Sequence, residues 1–204
     1  MRLKTLLAGL MVASLLLSGC TLLPQTQPAS FYQMPPPSIE QRAGEALPLA
    51  LRINTPQAGF AHSSPRLLVN PQGDQLSSYK GARWTEPLPA MVREHLRRAF
   101  VQSGALSSVS SDEHALHADV LLGSDLLSFQ VVYRDQQPVA IVELEARLIE
   151  PTARRVLASR IFRAEQLPAD PQVPAVVRAQ AAALDQVTRE LIDWSLLQLQ
   201  GFEP

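Results

Sequence analysis

Cys20 is the only cysteine in 204 residues, so no intramolecular disulfide can staple this chain and no thiol cluster can hold a metal. Glycine is scarce, at nine residues. No glycine-rich phosphate loop and no Gly-x-Ser-x-Gly elbow can be found, which removes the commonest signatures of nucleotide binding and serine hydrolysis. Lysine is scarcer still, only Lys4 and Lys80, and the formal net charge is −1. A chain so close to neutrality lacks the electrostatic footprint of a nucleic-acid binder. The opening apolar run, Leu6 to Leu17, is short of the roughly 20 residues that a helix needs to span a hydrocarbon core.

What that run does fit is a secretory leader. Arg2 and Lys4 supply a basic start, Leu6 to Leu17 the apolar stretch, and Ser18-Gly19 the small residues before a cut. Leu17-Ser18-Gly19-Cys20 reads as a lipobox, in which the Cys20 thiol accepts a diacylglyceryl group and the new amino terminus a further, palmitate-type chain. Two or three acyl chains on one residue hold a protein to a leaflet far more firmly than one, at about 0.8 kcal/mol per buried methylene. The expectation is a signal peptide over residues 1–19 and a domain lipid-anchored through Cys20. Thr21, where an aspartate would favour inner-membrane retention, points to the periplasmic face of the outer membrane. Without Arg2 and Lys4 the remaining chain has 16 cations against 19 carboxylates, a net charge of −3.

Residues 20–48 are rich in proline, including Pro35-Pro36-Pro37, and read as a semi-extended tether, with a short strand conceivable near residues 31–34. Residues 49–204 read as one domain. Strands are expected at Ala50–Ile53, Arg66–Asn70 and Gln75–Tyr79, then a helix introduced by Pro87 and Pro89 and stopped at Gly104. Ala118–Tyr133 and Val139–Ile149 form a hairpin, the second strand alternating apolar Ala140, Val142, Leu144, Ala146 and Leu148 with Glu143, Glu145 and Arg147. Val156–Ala164 extends it. A long final helix carries a stripe of Val173, Val177, Leu184, Val187, Leu191 and Trp194, interrupted by Gln180. The order of strands, helix, strands, helix predicts an α+β fold, with two main helices packed on an antiparallel or mixed sheet.

Three groups invite a chemical reading. His114 and His117, with Asp112, Glu113 and Asp119, have the residue types of a metal cluster, but their segment reads better as a solvated loop. Glu143 and Glu145 share a strand face as a glycosidase pair might, although alternating charge is also what a wet sheet face looks like. Tyr79, Arg83 and Trp84, in the stretch ending Glu86-Pro87-Leu88-Pro89, offer an aromatic and cationic contact for a partner. They can equally be a staple, with Trp84 roofing the sheet and Arg83 paired to Glu86. Catalytic residues, metal and cofactor are all expected to be absent.

Phe31-Tyr32, Leu51-Arg52-Ile53 with Pro56, Arg66-Leu67-Leu68-Val69, Tyr79, Arg83-Trp84-x-Glu86-Pro87-Leu88-Pro89 and the Ala118-Asp119 strand leading to Phe129 follow in order behind the lipobox. In this series the chain resembles the auxiliary lipoproteins of ABC-type transport systems, the PqiC-like lipoproteins that accompany MCE (mammalian cell entry) proteins. The resemblance implies a non-enzymatic accessory that docks the periplasm-spanning MCE protein of an intermembrane lipid transporter from the outer membrane. It leaves room for a lipid ligand and for a homo-oligomer matched to a cyclic partner. The alternative is a structural or assembly lipoprotein, serving outer-membrane barrels or peptidoglycan.

Overall fold

In the computed structural model the chain is described over residues 28–114 and 116–203. The signal peptide, the lipobox and Cys20 lie outside these residues. Eleven elements follow in order: β1 (Ser30–Tyr32), β2 (Leu47–Ile53), β3 (Gln57–Ala58), β4 (Arg66–Gln72), β5 (Gln75–Trp84), α1 (Leu88–Ser103), β6 (Leu106–Ser111), β7 (Val120–Arg134), β8 (Gln137–Glu150), β9 (Arg155–Gln166) and α2 (Val173–Leu199). The sheet is mixed and the fold is α+β, with two main helices.

Strand β7 organises the sheet. Along one edge it pairs antiparallel with β8, from Leu121↔Ile149 to Arg134↔Gln137, and β8 pairs onward with β9. Along its other edge run three parallel partners in succession: β2 at Val120–Leu122, β3 at Asp125–Leu126 and β4 at Val131–Val132. Strand β6 adds outside β2, while β5 and then β1 add outside β4.

Both helices cover one face. Helix α1 begins with proline in its first turn, where a missing N–H costs nothing, and ends at Gly104 with φ +64°, a left-handed cap that closes on the Val101 carbonyl. Its Leu88, Val92, Leu96 and Phe100 are fully buried. Helix α2 buries Val177, Leu184, Val187 and Leu191 against β8 and β9. Trp194 meets Phe162 edge-on at 5.5 Å. Gln180 interrupts the stripe as the sequence indicates, yet it too is buried, with neither amide atom partnered by protein.

Much of the proline-rich segment belongs to the folded body. After β1, Pro37 and Ile39 are buried, and the backbone is strapped across the helices. Ser38 N–H donates to Asp185 Oδ1 at 3.3 Å, Arg42 N–H to the Ser103 carbonyl at 2.9 Å, and the Arg42 guanidinium to Asp193. Asp185 also meets buried His95 Nε2 at 3.0 Å. Composition alone reads these residues as tether because their partners come from the two helices, those on α2 about 150 positions away in sequence.

Candidate functional site

The three residues expected to act together at Tyr79–Trp84 are divided between the two faces of β5. Between the pairs Leu68↔Ser78 and Arg66↔Arg83, β4 advances two residues and β5 five. A surplus of this kind makes a bulge, and Gly81 with φ +67° lies within it. Trp84 consequently points inward, is 1% exposed and meets Phe129 edge-on at 6.0 Å. Tyr79 is half-buried beside Tyr133; burial, reinforced by that second phenol, pushes its hydroxyl well above the ordinary tyrosine range. Arg83 stands on the opposite, open face, and the pairing to Glu86 does not form: no ion pair involves Arg83 among the described residues. A partner arriving from solvent can touch Arg83 but not Trp84.

Glu143 and Glu145 lie on the same open face as neutralised charges. Arg163 binds Glu143 and Glu165, Arg147 binds Glu145 and Asp125, and Arg134 binds Glu165. Hydrogen bonds from Arg134 and then Arg163 hold the Glu165 carboxyl down at about 2. Glu143 and Glu145 are thus each held by an arginine of their own. His117 is largely exposed, with Nδ1 3.9 Å from Asp119. Among the described residues no three His, Cys, Asp or Glu side chains converge as metal ligands. Asp112 instead serves the fold. Burial opposes its ionisation, but hydrogen bonds from Thr55 and Arg93 outweigh that and keep its carboxyl below the usual range.

The clefts lie mostly along the strap. One, of about 310 Å³, is lined by Met34, Pro35–Pro37, Met91, Glu94, His95 and Arg98. Hydrogen bonds from Arg97 and Arg98 hold Glu94 at about 2. The walls of this cleft thus mix methionine and proline with charged and polar side chains.

Two exposed aromatic rings were not read from sequence as contact sites. Phe31 is 66% exposed on β1 and Phe60 is 96% exposed in the loop between β3 and β4. Phe31 pairs with Arg83, which pairs in turn with Arg66. Pattern reading finds apolar residues that alternate into a core, and it has no rule for an aromatic ring held outside one.

The sequence profile for the ABC-type transport auxiliary lipoprotein component matches residues 32–192. The chain belongs to this family. A crystal structure of a Xanthomonas campestris protein agrees with that membership: it is 32% identical, covers 85% of this chain and 98% of its own, and superposes with a TM-score of 0.79. A second crystal structure, of an uncharacterised protein, shares the fold at 14% identity with a TM-score of 0.65, covering 83% of this chain and 99% of its own. An uncharacterised protein of Bradyrhizobium diazoefficiens is 25% identical over 166 residues, 81% of this chain. The chain spans 44% of the length of that curated relative. A transport auxiliary lipoprotein is not a known enzyme family, and among the described residues no helix is long and apolar enough to cross a membrane. Membership therefore fits a membrane-anchored periplasmic protein.

Proposed function

We propose that this auxiliary lipoprotein is acylated at Cys20, sits on the periplasmic face of the outer membrane and docks the MCE protein of an ABC-type transport system that moves lipid or another hydrophobic substrate between membranes. The observation that carries the reading is the family match over residues 32–192, taken with the lipobox at Leu17–Cys20. An arginine-clamped sheet face and a core closed by two helices suit a docking part rather than a reaction vessel. Lipid handling and self-association into a ring belong to the same proposal, the ring because a cyclic conduit presents equivalent docking surfaces.

One experiment addresses both anchor and partner. Wild-type and Cys20→Ser chains are expressed beside the MCE protein, fractionated and affinity-purified. The wild type is expected in the outer-membrane fraction together with the MCE protein, while Cys20→Ser stays folded and leaves that fraction in a wash of about 1 M salt, where charge-driven contacts are screened. Retention of Cys20→Ser like that of the wild type after that wash overturns the anchor. Wild-type protein that never brings down the MCE component, and instead brings down barrel-assembly or peptidoglycan components, transfers the reading to an assembly lipoprotein.

A further inference from the structure

Charge on the open face of the sheet is unevenly matched. Arg134, Arg147 and Arg163 each have a carboxylate partner. Arg66, Lys80 and Arg83, on β4 and β5, have none among the described residues. Arg66 and Arg83 are moreover cross-strand partners, and like charges directly opposite each other destabilise a sheet. An arrangement that works against the fold calls for an anion from outside it.

Two exposed rings flank these strands, one on β1 and one in the loop before β4. Phe31 is the other lateral neighbour of Arg83. Phe60 stands in the loop that leads into Arg66, and this loop is held in shape: Ser63 N–H donates to the Gly59 carbonyl at 3.0 Å and Ser63 Oγ to the Ala58 carbonyl at 3.1 Å. Burial lowers the pKa of His62 beside it, so that residue adds no charge near neutrality. At its far end the loop is tied to β5 by the Trp84 N–H bond to the Pro65 carbonyl at 2.9 Å.

The described residues also begin here. The Pro28 carbonyl oxygen lies 4.0 Å from where a Cβ on Gly81 would stand, between Lys80 and Arg83 in sequence. Pro28 lies eight positions after Cys20, and at no more than about 3.6 Å per position that stretch reaches about 29 Å even when fully extended. An acyl chain on Cys20 therefore keeps this corner within about 29 Å of the leaflet.

We propose that the corner formed by Phe31, Phe60, Arg66, Lys80 and Arg83 seats directly on an anionic phospholipid leaflet. The three cations meet headgroup phosphates and the two rings enter the interfacial zone, where aromatic side chains are favoured. The orientation rests on acylation at Cys20, but the affinity does not need the acyl chain and can be measured without it.

The test uses the unacylated Cys20→Ser chain beginning at residue 20, co-sedimented with phosphatidylglycerol vesicles or with phosphatidylcholine vesicles. Binding to phosphatidylglycerol is expected to be at least about tenfold stronger, and to fall as salt rises from about 0.1 to 1 M and the screening length shrinks from about 10 to 3 Å. The combined variant R66Q/K80Q/R83Q is expected to lose that preference, and F31S/F60S to bind at least about tenfold more weakly, each with a wild-type melting curve. Equal binding to both lipids, or a charge variant that binds like the wild type, overturns the proposal. So does a wild-type chain that ignores vesicles but self-associates through Phe31 and Phe60 in light scattering, since the corner is then a contact between copies. Vesicle binding without acylation of Cys20 in cells would remove the anchor and leave this surface standing; acylation without vesicle binding would do the reverse.

Discussion

On β8 and β9, Arg163 bridges Glu143 to Glu165, and Arg147 on the same face holds Glu145 and Asp125. On β4 and β5, Arg66 faces Arg83 across the ladder with no carboxylate between them. Both regions belong to one sheet and both lie opposite the helices. The first is neutralised from within, as a face that has only to stay wet requires. The second keeps its charge for something that is not part of the chain. An ion pair count for the whole sheet would hide this, because the difference lies in where the pairs stop.

The largest effect should come from beneath these regions rather than from their surfaces. Each is backed by an aromatic pair, Trp84 with Phe129 under the cationic half and Phe162 with Trp194 under the paired half. Trp84→Ala and Phe162→Ala are each expected to cost about 3–5 kcal/mol in urea unfolding. Similar losses would confine the contrast to the open face. A loss below about 1 kcal/mol at either site would show that its half does not share the common core.

A smaller effect separates the halves by pH. Glu165 has a folded value of about 2 against an ordinary 4.5, so its contribution to stability is complete above pH 4.5 and is lost as pH falls toward 2. Melting temperature should fall through that window, and the fall should be shallower in R134Q/R163Q. Because Glu165 and Arg163 are partly exposed, the Arg163→Gln loss at neutral pH is expected to be only about 0.2–1 kcal/mol. An identical acid profile in the double variant would mean that these pairs carry no stability.

The smallest effect is expected on the cationic half. Arg83→Gln removes a like-charge neighbour and no partner, so stability should change by less than about 0.5 kcal/mol, in the favourable direction. A loss above about 1 kcal/mol in chemical denaturation would reveal a structural role for Arg83 and weaken the contrast.

Helix α1 was legible because its limits are written locally, in Pro87, Pro89 and Gly104. The β7–β8–β9 meander was legible because β8 alternates cleanly between a buried and a wet face. Strand β6 was not: Leu106-Ser-Ser-Val-Ser-Ser111 has no such pattern, and its pairing with β2 and its cover by α1 supply what its own side chains do not. The strap was missed for a similar reason, since nothing near Ser38 or Arg42 in sequence announces Asp185 or Asp193. The aromatic and cationic stretch at Tyr79–Trp84 was visible, but the bulge at Gly81, which decides which side chain faces which way, depends on the register with β4. Local chemistry identified the residues, and long-range pairing assigned their faces.

Strand β7 pairs with β2, β3 and β4 across some 60 to 70 positions of sequence, as in Leu51↔Val120 and Val69↔Val131. Its pairing with β8 is closed by a turn at Asp135-Gln136, and that of β8 with β9 by residues 151–154. A chain stopped at Asp119 would therefore contain β2, β3 and β4 with the ladder they share entirely missing. The first half of this protein is written before the strand it must be laid against, so none of these three ladders can close until β7 has been made.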